Sequence, residues 1–262
     1  MEFIKTLWKN KKLAIQLGKN DFRNRFASTS LGAVWGFLQP FVFMMTYVIV
    51  FQYILKTGSS GNYPYVVWFL PGMAMWMFCS DAILTASNSI RNYSYLVKKV
   101  VFPVDIIPII SLTSASFIGI FLIAIAVIAS SLYGFVPNFI NVIYIVFCAL
   151  CFIIALTRFT SALTTLVPDF AQLLTIVIQL CMWFTPIVWN LSMLDDKFVK
   201  IFKALPFTYL VEGFRQAFME ASTVITESRG MYTIIFWVIT LVLFMWGNSV
   251  FKKNKKDFAD VL

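Results

Sequence analysis

The sequence predicts an all-α integral membrane protein that crosses the bilayer six times. Hydrophobic residues make up 60% of the 262 residues and charged residues only 13%, whereas a soluble domain averages about 25% charged residues. Lipid must therefore be the solvent for most of the surface. The apolar runs are long enough to cross a bilayer as helices, and they are continuously apolar, without the alternation of a membrane β-strand.

The first element is an amphipathic interfacial segment over residues 1–30. Its apolar residues fall four apart, as in Phe3 and Leu7, and lysines and asparagines fill the other face, with breaks near Asn10 and around Gly18. Such a segment either anchors the chain and fixes its topology, or guards a lateral entrance or contacts a partner.

A six-span membrane domain is predicted over residues 31–251, followed by a cytoplasmic tail at 252–262. A helix needs about 20 residues to cross the hydrocarbon core, so the longest runs are expected to tilt or to project beyond it. The predicted spans are 31–55, 65–90, 106–133, 139–166, 172–190 and 231–251.

The 191–230 segment, between the last two spans, shows helical spacing but is too charged to span. It is predicted to form two short amphipathic helices, broken at Pro206, that are re-entrant or lie at the outer interface.

The counts of lysine and arginine orient the chain. The first 30 residues carry seven, the 91–105 connection carries three and the chain after Phe251 carries four, whereas the 57–64 and 134–138 loops carry none. Both termini and the 91–105 connection are therefore predicted to be cytoplasmic.

The 91–103 connection is predicted to contain a short surface helix. It includes the stretch SYLVKKVVF, in which apolar residues flank the pair Lys98–Lys99, and Pro103 then starts the next helix. An apolar and basic knob of this kind can seat in a groove on a soluble partner. The alternative is a plain turn whose lysines follow the positive-inside rule.

Five stretches, spread along nearly the whole chain, carry a resemblance to a known family. They read LGAVWGFLQPFVFMMTYVIVF (31–51), LVKKVVFPVDIIPI (96–109), VPDFAQLLTIVIQLCMWFTPIVWNLSML (167–194), LPFTYLVEGFRQAF (205–218) and DFADVL (257–262). In this order they resemble the permease subunits of type-2 ABC exporters. Within these, the similarity is greatest to the group that exports lipid-linked cell-envelope polysaccharides such as O-antigen, teichoic acid and capsule.

The resemblance implies a homodimer of this chain bound to two copies of a separate ABC ATPase in the bacterial cytoplasmic membrane, with no nucleic acid partner. No G-x-x-x-x-G-K-[ST] nucleotide loop occurs in the sequence. ATP and Mg²⁺ are thus expected on the ATPase, and this chain is expected to be a transport subunit without a cofactor or a catalytic residue of its own. The short helix would be the coupling helix that transmits ATPase closure, formed by Leu96, Val97, Lys98, Lys99, Val100, Phe102 and Pro103.

Polar groups and prolines within the spans indicate a transport path. Gln39 and Pro40 in the first span and Pro186 in the fifth predict kinks, which are either simple bends or the hinges of a lateral opening. Asp81 and Arg158 are the only charges well within the predicted spans, and they are expected to pair or to face a cavity.

Aromatic residues are abundant along this path, and a flat ring can hold the face of a sugar without strong hydrogen bonds. Many of them are expected to belong to the interfacial belts instead. The predicted channel and gate residues are Trp35, Gln39, Pro40, Trp76, Asp81, Trp183 and Pro186.

The implied substrate carries an undecaprenyl-pyrophosphate-type anchor, and arginine matches the geometry of phosphate oxygens. Arg23 and Arg25, at the junction of the interfacial segment with the first span, are the predicted head-group residues. The alternative is that they contact ordinary anionic lipid.

Other functions are disfavoured by the residues themselves. Cys148 and Cys151 have the spacing of a metal pair, but the chain has no histidine, so buried apolar cysteines are the better interpretation and no metal site is predicted. An exporter of drugs or small lipids is the first alternative function. An integral-membrane transferase would want clustered carboxylates, and the only adjacent acids are Asp195 and Asp196. An ion-coupled carrier would show more buried acids and internal repeats.

Overall fold

The structure, a computed structural model, describes residues 2–56, 63–98, 102–219 and 229–262. Within these ranges the regular elements are helices, which confirms the all-α prediction. The long helices are α3 (Val34–Val48, continued by a π-helical turn at Ile49–Ile54), α4 (Tyr65–Asn92), α6 (Ile107–Leu132), α7 (Phe139–Leu166), α8 (Asp169–Phe184) and α11 (Gly230–Asn254). The shorter ones are α1 (Glu2–Lys9), α2 (Lys11–Arg25), α5 (Ser94–Val97), α9 (Asp196–Ala204), α10 (Pro206–Met219) and α12 (Phe258–Val261), with 3₁₀ turns at Val104–Ile106 and Leu191–Met193.

Five helical segments of the described chain are long and apolar enough to cross a membrane. They are Val34–Ile54, Tyr65–Asn92, Val104–Leu132, Phe139–Leu166 and Gly230–Asn254. These five correspond to the first four predicted spans and the sixth, because an unbroken apolar run of this length is the dominant signal for a membrane helix.

The predicted fifth span is shorter than expected. Its helix, α8, has 16 residues and ends at Phe184, so the prediction that Pro186 kinks a helix continuing to residue 190 is wrong. Thr185 adopts an extended conformation, with φ −87° and ψ 134°, because the ring of a following proline disfavours the helical region for the residue before it. Pro40, in contrast, lies inside α3 as predicted.

Helix α4 is the centre of the molecule and packs against α6, α7 and α10. It has the lowest mean hydropathy of the five segments, 1.4, yet it is the most buried of them. Its polar residues explain why a helix of low hydropathy is buried, because they form hydrogen bonds inside the bundle. The Ser87 hydroxyl, for example, lies 2.6 Å from that of Thr160 on α7. Hydrogen bonds of this kind hold membrane helices together.

The N-terminal segment forms two helices that meet at Asn10, where a break was predicted. The predicted break around Gly18 is wrong, because α2 is continuous from Lys11 to Arg25. Gly18 instead lets α2 approach α6 closely. A Cβ atom there would lie 2.7 Å from the Thr113 Cβ and 3.0 Å from the Ile110 carbonyl oxygen.

The chain ends meet at one end of the bundle, here called the terminal end. Helix α1 contacts Val104–Ile106, and Lys255, just after α11, pairs with Asp105 in the same turn. At the opposite end, here called the distal end, the backbone N–H of Asn138 donates to the backbone carbonyl of Ala217 at 2.9 Å. The connection before α6 and the connection between α6 and α7 therefore lie at opposite ends of the long helices.

The segment before α11 contains two helices broken at Pro206, as predicted. Helix α10 is buried against α4 and α7, more deeply than an interfacial helix would be. The reason is Arg215, whose side chain is 3% exposed. Its guanidinium donates to the carbonyls of Trp68 at 2.7 Å and of Pro186 and Ile187 at 3.1 Å, so α10 is fastened to the start of α4 and to the turn after α8.

Candidate functional site

A cavity of about 930 Å³ lies between α2, α3, α4 and α6, with Gln179 of α8 at its edge. Four of the residues predicted from the sequence line it together: Arg25, Gln39, Pro40 and Asp81. Hydroxyl groups and apolar side chains complete the lining, so the cavity offers both a hydrocarbon surface and a charged patch. It is the feature of the described chain that best fits an amphiphilic ligand.

The charged patch consists of Arg25 and Asp81. The guanidinium of Arg25 donates to the two carboxylate oxygens of Asp81 at 3.2 and 3.4 Å, and also to the hydroxyl of Thr85 one turn further along α4. Of the two alternatives predicted for Asp81, pairing with Arg158 or facing a cavity, the structure shows the second. The side chains of Arg25 and Asp81 are 23% and 36% exposed, so the guanidinium remains accessible from the cavity.

The other predicted residues of the path lie elsewhere. Arg23 is exposed on the outer side of α2, and Trp35 is 41% exposed on α3. Neither lines the cavity. Trp76 is buried in the bundle, where it packs edge-on against Phe207 with ring centroids 5.2 Å apart.

Trp183 stands at the end of α8 with 63% of its surface exposed, and Pro186 follows that helix. Neither residue lines the cavity. The structure thus brings together one of the two predicted head-group arginines and three of the seven predicted channel and gate residues.

A ladder of stacked rings leads from the cavity toward the distal end, and the sequence analysis did not identify it as a unit. Tyr47, in the cavity wall, stacks on Phe51 and on Phe69 with centroids 6.0 and 5.6 Å apart. Tyr65 stacks on Phe51 and Phe69 at 5.9 and 5.3 Å. The signal for this ladder was the spacing of four between aromatic residues in each of two neighbouring helices.

Helix α2 is joined to α4 at a second point. The hydroxyl of Tyr93, which directly follows α4, donates a hydrogen bond to the carboxylate of Asp21. Burial raises the pKa of Tyr93, and the bond to Asp21 raises it further, so Tyr93 stays a neutral donor at physiological pH. The same helix therefore carries Arg25 at the cavity and Asp21 at the residue that begins the 93–105 connection.

The predicted coupling helix exists as α5, a single turn, but it does not present the surface that was predicted. Leu96 and Val97 are buried, in one apolar cluster with Phe251 and Phe258 of the C-terminal segment. The prediction that they face outward as part of a knob is wrong, because the chain's own tail already covers them. Tyr95 and Lys98 are the exposed residues of this turn.

The remaining residues of the predicted knob lie after this turn. Lys99 and Val100 fall outside the described residues. Phe102 is half-buried against the same apolar cluster, and Pro103 leads into the Val104–Ile106 turn.

Next to this cluster lies a group of buried charges that the sequence analysis did not anticipate. Asp105 accepts hydrogen bonds from Arg158 at 3.0 and 3.1 Å and also pairs with Lys255. Arg158 also donates to the side-chain oxygen of Asn248 at 2.7 Å, and its guanidinium lies over the rings of Phe3 and Phe251. Arg158 therefore joins elements from both termini, and it does not line the cavity beside Arg25.

The described residues contain no group of three or more His, Cys, Asp or Glu side chains placed to hold a metal ion. The chemistry available at the cavity is instead that of recognition. A cationic fork paired to a carboxylate, on a wall that is otherwise largely apolar, can exchange that carboxylate for the phosphate of an amphiphile.

Several known proteins are similar to this chain over nearly its full length. The chain is similar over 95% of its length to a Klebsiella pneumoniae protein named O-antigen export system permease protein RfbA, with 26% identity over 95% of that protein. It is 22% identical to a Myxococcus xanthus protein of the same name, with 99% of each chain covered. A second Klebsiella pneumoniae protein of this name is 25% identical, with 95% of each chain covered.

The model of a protein family described as ABC-2 type transporter matches residues 13–219. This match covers both the cavity and the α5 region, and it confirms the resemblance to type-2 ABC exporter permeases that the five sequence stretches carry. The chain belongs to the ABC-2 type transporter family of membrane proteins.

Proposed function

We propose that this chain is the membrane subunit of an ATP-driven exporter that moves a lipid-linked cell-envelope polysaccharide across the bacterial cytoplasmic membrane. The substrate would be anchored on a pyrophosphate carrier of the undecaprenyl type. The observation that carries the proposal is the cavity in which Arg25 is accessible beside an otherwise largely apolar wall. The names of the relatives, which are O-antigen export permeases, support the class of cargo.

In this proposal Arg25 receives the pyrophosphate and the apolar lining receives the lipid chain. The guanidinium presents paired donors that match phosphate oxygens. Its present partner, Asp81, is partly exposed to solvent, so exchanging it for a phosphate costs less than opening a buried pair would. Tyr47, the one ring of the ladder that lines the cavity, would then contact the first sugar, since rings bind sugar faces without strong hydrogen bonds. Tyr65 and Phe69 are buried and would support it from behind.

The transport unit is proposed to be a homodimer with two separate ABC ATPase subunits, which bind ATP and Mg²⁺ and dock at α5. An exposed glutamine on α8 supports the dimer. Gln172 is exposed and does not line the cavity, and a polar side chain facing lipid is unfavourable. A second copy of the chain, or an aqueous path between two copies, would supply a polar partner for it.

Six crossings, with both termini in the cytoplasm, are proposed because contacts between the two chain ends support an even number of crossings. Both ends of the chain contact the Val104–Ile106 turn, and five crossings would place them on opposite sides of the membrane. Helix α8 supplies the sixth, since its 16 residues give about 24 Å at 1.5 Å per residue and the turn after it adds the rest.

The test is ATP hydrolysis by the complex of this chain with its ATPase in proteoliposomes. We expect undecaprenyl-pyrophosphate-linked saccharide to stimulate hydrolysis several-fold, and the same carrier without sugar or a panel of amphipathic drugs to do so weakly. Stimulation by the drugs and not by the saccharide would assign the chain to the export of small amphiphiles. A chain that transports without an ATP-hydrolysing companion would overturn the proposal altogether.

A further inference from the structure

The C-terminal segment Lys255–Leu262 is built into the region around α5. Phe258 is fully buried, with its ring 5.4 Å from that of Phe251, and it belongs to the apolar cluster that contains Leu96 and Val97. Helix α12 contacts α5 directly. The tail and the short helix therefore form one packed unit.

A second, independent contact holds the start of this segment. Lys255 pairs with Asp105, whose other partner, Arg158, has a side chain that is only 1% exposed. The tail is thus fixed by an ion pair at its first residue and by a buried ring three residues later. Two fixed points define the position of the chain between and just after them.

The outer surface of this unit contains residues from both elements. Tyr95 and Val261 are 58% and 51% exposed, and the exposed charged residues of the two elements are Lys98, Lys256, Asp257 and Asp260. Helix α5 alone is one turn of four residues whose apolar pair is already buried. Specific protein interfaces bury about 800 Å² on each partner, and the described part of this connection exposes only two side chains, so we expect a neighbouring element to contribute to a docking site.

We propose that the segment Lys255–Leu262 is the second half of the docking surface for the ATPase, and that a single ATPase groove covers both α5 and α12. This rests on the proposed function, which supplies the ATPase as the occupant. The surface suits a protein partner better than the membrane. It mixes two acids, Asp257 and Asp260, with two lysines, Lys98 and Lys256, and it exposes an aromatic and an aliphatic side chain, whereas a surface that binds the anionic inner leaflet is uniformly basic.

The proposal is tested by site-specific photocrosslinking in the full chain assembled with its ATPase in membranes. A photoreactive amino acid is placed at Tyr95, at Val261 or, as the control, at Leu132, which is 82% exposed at the distal end of α6. We expect adducts with the ATPase from positions 95 and 261 and none from position 132.

The outcomes separate the inference from the proposed function. Adducts from position 95 alone would overturn the role of the tail and leave α5 as the docking site. Adducts from position 261 alone would overturn the shared groove. No adduct with the ATPase from either position would reject the docking site together with the inference.

A charge reversal measures whether the tail contributes to affinity. Asp260→Lys leaves Phe258 and Lys255 in place, and we expect it to weaken retention of the ATPase about tenfold, as a mispaired interface charge does. Asp195→Lys is the matched control, because it reverses an equally exposed acid on the segment between α8 and α9. Equal retention of the ATPase by both variants would show that the tail only supports α5 and does not contact the partner.

Discussion

At the scale of single residues, Arg25, Arg158 and Arg215 differ in how exposed their ion-paired side chains are. Arg158 and Arg215 are buried and held by carboxylates and by carbonyl or amide oxygens, so removing either would leave buried groups unpaired. Arg25 is partly exposed beside a cavity. The first two are therefore structural, and Arg25 is the one that can bind a ligand.

If a phosphate replaces Asp81 as the partner of Arg25, substitutions of Arg25 and of Asp81 should shift the apparent affinity for the saccharide in opposite directions. Arg25→Gln removes the cation, and we expect the saccharide concentration for half-maximal ATPase stimulation to rise about tenfold, the size of a lost charge-assisted hydrogen bond. Asp81→Asn removes the competing carboxylate, and we expect that concentration to fall. Arg23→Gln is the control, since Arg23 does not line the cavity. An equal effect of Arg23→Gln and Arg25→Gln would mean that both contact lipid nonspecifically.

Arg215 makes a prediction about stability. Arg215→Ala leaves the carbonyls of Trp68, Pro186 and Ile187 without the donors they now have and leaves the Glu212 carboxylate without its cation. Breaking a buried pair costs about 3–5 kcal/mol, so we expect a marked fall in the apparent melting temperature of the detergent-purified protein. Arg91→Ala, at an exposed site at the end of α4, should leave the melting temperature unchanged. A normal melting temperature for Arg215→Ala would show that water replaces the side chain.

At the scale of elements, α2 joins the cavity to the residue that precedes α5. Arg25 bonds to α4 at Asp81 and Thr85, and Asp21, about one turn earlier, bonds to Tyr93. Close packing of Gly18 on α6 fixes the helix between its neighbours. We expect a ligand that displaces Asp81 from Arg25 to change the contact of α2 with α4, and the bond between Asp21 and Tyr93 to transmit that change to the residue before α5.

This connection predicts that binding and stimulation can be separated. Tyr93→Phe removes the bond to Asp21. We expect the complex to assemble and to bind the saccharide normally, but we expect the saccharide to stimulate ATP hydrolysis a few-fold less than it does with the unmodified chain. Tyr133→Phe, which removes a hydroxyl from an exposed residue at the distal end, is the control. Full stimulation in Tyr93→Phe would show that the signal does not pass through α2.

The limits of sequence reasoning also appear at this scale. Five spans were predictable because the length of an apolar run is a local property. The orientation of Leu96 and Val97 was not, since the residue that covers them, Phe258, is distant in the chain, and the same pattern suits a helix that faces another protein. The partners of Asp81 and Arg158 depend in the same way on the rotation of packed helices, which composition does not record.

At the scale of the whole molecule, contacts at the two ends of the bundle support the proposed membrane topology. The N-terminal helix, the C-terminal segment and the 93–105 connection meet at the terminal end, where lysine and arginine are concentrated. The loop before α7 and the end of α10 meet at the distal end. Positive charge favours the cytoplasm, so the terminal end is expected to face the ATPase and the distal end to face the outside.

The topology predicts which positions a membrane-impermeant thiol reagent reaches in intact cells. Val136→Cys and Asp195→Cys, both at exposed positions, should react from outside, and Lys12→Cys, at an exposed position of α2, should react only after the membrane is opened. The unsubstituted chain is the control, because its four cysteines are buried or half-buried. Asp195→Cys is the decisive position. If α8 crosses the membrane, residue 195 is external, whereas an α8 that dips in and returns would leave it reactive only from inside. Reaction of Asp195→Cys only in opened cells would reduce the crossings to fewer than six and would contradict the proposal that an even number of crossings places both termini in the cytoplasm.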